Sequence, residues 1–237
     1  MATSGNKSIS VATGLTLKFS WEIKSQDTAN NKSVLDWKLE LIAASNAHIS
    51  SSASKAWTVE IEGKKFSGNS TVGIDYGKTK TLASSASSGT ATVSHNADGT
   101  KTISYSFSQY FGINYGGSSL DTKSGSGTGT LTAIDRVSKV SATNAYVGEE
   151  STITITRYNS NFKHTLHYKY GKKDYIEISG GKLSGTSYPW YVPYDILENT
   201  KDAKKATITL KCTTYNGSTK IGESTTTFTA NFKKSEC

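Results

Sequence analysis

The sequence predicts an all-β protein, a run of antiparallel strands stacked as sandwiches, and three observations carry that reading. Leu15, Leu17, Phe19, Trp21 and Ile23 alternate with Thr16, Lys18, Ser20 and Glu22. The same beat returns in Leu35, Trp37, Leu39 and Leu41, in Ile103, Tyr105 and Phe107, and in Phe162, Leu166, Tyr168 and Tyr170. Successive side chains leave a pleated strand on opposite faces, so this period marks strands with one face in a core and one in water. No comparable stretch repeats at helical spacing. The second observation is abundant Gly, Ser and Thr with 2 prolines, which suits short strands joined by tight turns. The third is size: 237 residues suit two sandwiches of about 100 residues each.

The first unit is expected over residues 1–136. Its strands fall near Leu15–Ile23, Val34–Ala43, Ala56–Ile61, Lys65–Ile74, Lys78–Ala83, Thr90–Ser94, Lys101–Ile113 and Gly127–Ala133. Glu62-Gly63-Lys64 and Ala97-Asp98-Gly99-Thr100 supply residues that tolerate positive φ and close hairpins. Hairpin spacing of this kind suggests a jelly-roll-like or other antiparallel sandwich. Gly125, Gly127 and Gly129 keep strict alternation inside a Gly-Ser run, so that run reads as a strand packed close to rings or backbone, not as a linker. The hinge is then expected at Asp135–Ser138.

The second unit, residues 137–237, has strands expected near Lys139–Ala145, Ser151–Arg157, His164–Tyr170, Asp174–Ser179, Ser187–Val192, Ala206–Thr213 and Ser218–Phe232. The last is long enough to bend or to hold a bulge. This count and length fit an immunoglobulin-like sandwich, although the Cys-Trp-Cys core signature of antibody domains is absent. Asp195-Ile196-Leu197 is the one helical turn expected, with Asn199–Asp202 as loop.

Each core must lean on large rings, because 35% of the residues are hydrophobic and 10% aromatic. The net charge of +8 is spread over both units without a dense basic block, and the only arginines are Arg136 and Arg157. Guanidinium is the preferred partner of phosphate and base edges, so lysine-rich basicity points away from nucleic acid and toward solubility or an acidic surface such as a phosphate-bearing wall polymer. Cys212 continues the inward series Ala206, Ile208, Leu210, whereas Cys237 ends a polar tail, so no disulfide is expected between them. Residues 1–14 lack an apolar signal-type stretch, and no window approaches a membrane span. Folding in a reducing cytoplasm and no membrane insertion are the expectation.

Catalysis is not expected. His164 and His167 stand three apart, which in a strand sends their rings to opposite faces, so no metal or other cofactor is foreseen. His95 precedes a turn that it is placed to support by hydrogen bonding. Asp36, Glu40, Glu60 and Glu62 alternate with apolar residues on solvated faces, and Glu149-Glu150 is assigned to a turn, so no paired acid and base emerges. No Gly-x-Ser-x-Gly elbow is present.

Aromatic residues give the best functional lead, because a flat ring can stack on the apolar face of a sugar while Asn, Asp or Gln bonds its hydroxyls. Gln109–Gly117 combines these types, and Tyr110 falls on the face opposite Phe107 and Phe111. Tyr110, Asn114 and Tyr115 are therefore candidate carbohydrate-binding residues, with Trp57 and Tyr76 as weaker ones. Trp21, Trp37 and Trp190 read as core.

Two passages resemble a known family. The run His95–Ser108, followed by the Gly-Ser ladder and Leu131–Arg136, resembles the repeated module of minor structural proteins from phages and prophages of Gram-positive bacteria. Phe162–Leu166, Tyr188-Pro189-Trp190 and Cys212–Gly222 look like the immunoglobulin-like module that follows it there. The resemblance implies a non-enzymatic virion component of tail, baseplate or fibre type, assembled in the host cytoplasm and present in many copies. Its implied partners are other virion proteins and the wall polysaccharide of the host. A capsid decoration protein, or a free-standing adhesin or carbohydrate-binding module, fits the same residues.

Overall fold

The computed structural model describes residues 2–28, 30–198 and 204–233. Nearly every element is a strand, and the chain divides into two compact units, the first ending at Ile134 and the second beginning at Asp135.

The first unit contains β1 (Ser4–Ala12), β2 (Leu15–Asp27), β3 (Lys32–Ala43), β4 (Ser54–Ile61), β5 (Lys64–Thr71), β6 (Thr79–Ser84), α1 (Ser85–Ser88), β7 (Ala91–Ser94), β8 (Thr102–Gln109), β9 (Ile113–Tyr115), β10 (Ser118–Leu120) and β11 (Lys123–Thr130). One sheet runs β1-β2-β3-β6, with β7 also on β3, and the facing sheet runs β11-β8-β4-β5. The chain thus passes between layers at β3–β4, β5–β6 and β7–β8, in a jelly-roll-like sandwich. Register follows the hydrophobic beat: Leu17 opposes Leu41, Phe19 opposes Leu39 and Trp21 opposes Trp37, so all six point into one core.

The Gly-Ser run is β11, a strand laid on rings. A Cβ on Gly125 would lie 2.6 Å from Phe107 Cζ, and one on Gly127 would lie 2.6 Å from Tyr105 Oη. Gly129 and Gly5 make the same room for Trp21, and Gly68 for Trp57. Glycine alternating at these positions lets the backbone take the place a side chain would fill, which explains how a core of few aliphatics closes around large rings.

In the first unit β1 and α1, like the β9–β10 hairpin, depart from expectation. β1 begins at Ser4, ahead of the first strand expected at Leu15, because its polar residues pair with β2 and its Gly5 sits opposite Trp21. The turn α1 was not expected, since Ser-Ala-Ser-Ser carries no helical signal; it closes with Gly89 N–H donating to Ser85 O at 2.8 Å.

The second unit contains β12 (Lys139–Ala142), β13 (Ala145–Tyr146), β14 (Glu150–Thr156), β15 (Phe162–Tyr170), β16 (Ile176–Glu177), β17 (Ser187–Tyr191), α2 (Asp195–Glu198), β18 (Lys205–Asn216) and β19 (Thr219–Asn231). Its sheets run β12-β14-β17 and β13-β19-β18-β15-β16, the immunoglobulin-like arrangement, with β13 parallel to β19. The long last hairpin carries a register shift at Thr214/Tyr215. The expected helical turn is α2, while the loop residues 199–202 and Cys237 lie outside the described residues.

Asp135–Ser138, the expected hinge, makes hydrogen bonds inside the second unit. Asn216 Nδ2 donates to Asp135 Oδ2 at 2.9 Å, and Ser138 is fully buried, its N–H donating to Thr214 Oγ1 at 3.0 Å. These bonds tie the segment to the second unit, which the polar sequence alone did not reveal.

Candidate functional site

The loop 44–51 joins the core by alternation. Ala47 and Ile49 are buried, and Ile49 and Ile74 exchange both backbone hydrogen bonds at 2.9 Å, so His48 and Ser50 point outward. Facing it is the β9–β10 hairpin, whose Gly116 and Gly117 take φ of 58° and 81°, the left-handed pair that a two-residue turn requires. The Tyr115 hydroxyl donates to Thr13 O at 3.2 Å and its ring packs partly on the core, leaving Asn114 exposed opposite Ser119.

Between loop and hairpin lies a groove of about 420 Å³, lined by Asn46, His48, Ser50, Ser51, Asn114 and Tyr115 among others. Tyr76, 54% exposed, packs against His48 with ring centroids 4.4 Å apart and the rings tilted by 34°. The groove therefore unites one aromatic edge, two amides, an imidazole and two hydroxyls, a set that can meet the alternating apolar faces and hydroxyls of a saccharide.

The structure brings Asn114 and Tyr115 together and links Tyr76 to them through His48. Tyr110 stands outside the groove lining, 42% exposed, its hydroxyl end over Gly112 and the Lys55 ammonium 5.4 Å from its ring centroid. Trp57 is a correction: it is 5% exposed, packed between Gly68 and Trp37 in the core, and no ligand can reach its ring. Its place on β4 puts it on the inward face with Val59 and Ile61. Asn46 and His48 were not foreseen; the only trace in the sequence is the Ala47, Ile49 alternation that turns His48 outward.

A second concavity of about 430 Å³ lies over the outer face of the β1-β2-β3-β6 sheet, with Asn6, Ser20, Glu22, Lys24, Asp36 and Lys38 in its lining. Glu22 stands directly across from Asp36, whose carboxylate accepts from Ser85 Oγ at 2.7 Å and lies 3.4 Å from Lys24 Nζ. The tryptophans beneath, Trp21 and Trp37, are buried, so this surface offers polar partners but no ring for stacking.

The histidines have structural settings. His95 Nδ1–H donates to Gly99 O at 2.8 Å, and Nε2 is hydrogen-bonded to the Ser33 hydroxyl at 2.7 Å. Ser33 is fully buried, and the pair pins the Asn96–Gly99 turn as its position before that turn suggested. His164 is fully buried, with Nε2 2.8 Å from Ser138 Oγ and Nδ1 facing no partner. Burial, reinforced by Arg157, holds its pKa below the ordinary imidazole value. His167 points to the opposite face, across from Lys211 and Glu177. Among the described residues, no three His, Cys, Asp or Glu side chains come together as a metal ion would need. Glu149 belongs to a turn closed by its N–H donating to Tyr146 O, and Glu150 opens β14. Glu62 sits in the β4–β5 turn, where burial raises its pKa but hydrogen bonds from Lys101 and Ser104 outweigh it and hold the carboxyl below its ordinary value. Burial pushes the Cys212 thiol up to about 12.

The family described as "Siphovirus protein of unknown function (DUF859)" matches residues 9–236. The chain belongs to that siphovirus family. No curated protein matches it. Among solved structures, the central fibronectin-III array of RIM-binding protein is 14% identical, over 90% of this chain and 68% of that one, with a TM-score of 0.28. Red sea bream transglutaminase is 10% identical over 94% of this chain, with a TM-score of 0.29, and the chain spans only 32% of its length.

Proposed function

We propose that this siphovirus protein is a non-enzymatic structural component of the virion, of tail, baseplate or fibre type, and that its first unit engages saccharide on the host wall. The groove between loop 44–51 and the β9–β10 hairpin carries the reading, because it gathers Asn114, Tyr115 and His48, and through His48 Tyr76, in one accessible concavity. Tyr110 flanks the same unit as an additional platform. The immunoglobulin-like unit docks on other virion proteins or on sister copies. Each contact is weak, and many copies on a particle multiply weak contacts into firm attachment.

Calorimetric titration of the full chain with wall polysaccharide purified from the host tests this. Losing one amide or imidazole hydrogen bond removes about 2- to 10-fold in affinity. Asn114→Ala and His48→Ala are each expected to weaken binding by that factor, and Tyr110→Ala to weaken it less, all with an unchanged Tm. Binding equal to wild type in both groove variants removes the site. Sustained release of reducing ends from isolated walls would overturn the non-enzymatic reading.

A further inference from the structure

We propose that the outer face of the five-stranded sheet in the second unit binds a phosphodiester-linked polyol chain, the chemistry of anionic bacterial wall polymers. The proposal rests on the reading of the protein as a virion component that meets a cell wall, but it uses another unit and other residues than the saccharide groove.

The face is built by strand alternation. On β15, Lys163, Thr165, His167 and Lys169 point away from the core, because Phe162, His164, Leu166, Tyr168 and Tyr170 fill it. Across the ladder on β18 stand Tyr215, Thr213, Lys211 and Thr209, in register with those four outward residues. Tyr175 joins this face, with Lys169 Nζ 4.9 Å and Lys211 Nζ 4.3 Å from its ring centroid. Lys182 Nζ lies 4.1 Å from the centroid of Tyr215, which Lys163 faces in register. Tyr175 thus collects two lysines and Tyr215 one, with Lys163 across the ladder from it.

Carboxylates cancel only part of this charge. Glu223 is engaged by Lys220 at 2.7 Å and Lys211 at 3.9 Å, and Glu177 accepts from Ser179 Oγ and Gly181 N–H. Among the described residues Lys163, Lys169 and Lys182 make no ion pair, so the face keeps an excess of ammonium groups. Gathering like charges on one sheet face costs energy that the π-electrons of the two rings only partly offset, and a polyanion supplies the rest.

The same geometry selects the kind of polyanion. Single-stranded nucleic acid needs open rings for its bases, whereas Tyr175 and Tyr215 already carry lysines. The cations described on this face are lysines, compact point charges without the planar fork that reads bases and grips phosphate bidentately. Thr209 opposes Thr227 and Thr207 opposes Thr229 on the same side, giving hydroxyls that can pair with those of a polyol.

The test is fluorescence polarisation of the full chain with labelled poly(glycerol phosphate) at low and high salt. Poly(dT), inorganic polyphosphate and dextran serve as competitors at matched concentration. The expected result is binding at low salt that high salt weakens strongly. The pair K169Q/K211Q and, independently, the pair K163Q/K182Q are each expected to weaken binding about tenfold with Tm preserved. Asn114→Ala should bind poly(glycerol phosphate) as wild type does. Three results would overturn the proposal: no binding at low salt, wild-type binding by both lysine pairs, or loss of binding in Asn114→Ala. Equal or better competition by polyphosphate marks unselective ion exchange, and by poly(dT) a nucleic-acid surface; either also overturns it. Because calorimetry with wall polysaccharide and the groove variants reports on the groove, failure of one site is separable from failure of the other.

Discussion

Gly125→Ala tests how the first core is built. The new methyl would sit 2.6 Å from Phe107 Cζ and 3.0 Å from Ile9 Cγ2, so it is hemmed on two sides. Phe107 cannot step aside: it is 1% exposed and stacked on Phe19 with ring centroids 5.5 Å apart. Overpacking of this kind costs about 1–3 kcal/mol. Restricting the unfolded chain returns about 0.4–1 kcal/mol. The net loss is about 1–2 kcal/mol, or roughly 4–8 °C in the Tm of a unit this size. Differential scanning calorimetry of the full chain reads it, with the transition of the second unit as internal reference. Gly127→Ala should cost less, because its clash is with the hydroxyl tip of Tyr105, and the outward Ser126→Ala should stay within about 0.5 kcal/mol of wild type. A Gly125→Ala chain that melts at or above the wild-type temperature would refute the idea that β11 is glycine-rich to make room for rings.

Other outcomes follow from burial. Trp57→Ala is expected to cost the first unit about 3–5 kcal/mol, measured by urea unfolding, as a core truncation and not a binding change. His164 carries a folded pKa below its unfolded value, so the unfolded chain binds more protons through this group and the stability due to neutral His164 is present above about pH 6.5 and lost as pH falls below it. The Tm of the second unit should therefore drop on acidification from about pH 7 toward 5, ahead of any carboxylate, and His164→Gln should flatten that segment. An unchanged slope in the variant would show that another group is responsible.

The two-residue beat made most of the fold legible because each sheet buries a single face: the strands around Phe19, Leu39, Phe107 and Leu166 could be read directly. β1 escaped because its pairing depends on Gly5 fitting under Trp21, a contact that leaves no hydrophobic mark. The hairpin at Ile113–Leu120 was not among the expected elements, since its strands are three residues each and its turn is specified by Gly116-Gly117 alone. For the candidate site, residue type singled out Asn114 and Tyr115, which line one groove, but their partnership with His48 is a tertiary fact carried by the Ile49–Ile74 bridge. Trp57 misled through residue type alone: it alternates with Val59 and Ile61 against Thr58 and Glu60, so the same beat already turns its ring inward.

The role proposed for this protein is that of an attachment component carried on the phage particle. Immunogold electron microscopy of purified virions, with mass spectrometry of the same particles, tests it most directly. The account predicts that the chain co-purifies with intact particles in multiple copies and that label gathers at the tail end. A chain absent from washed virions, or label confined to the capsid, would contradict it.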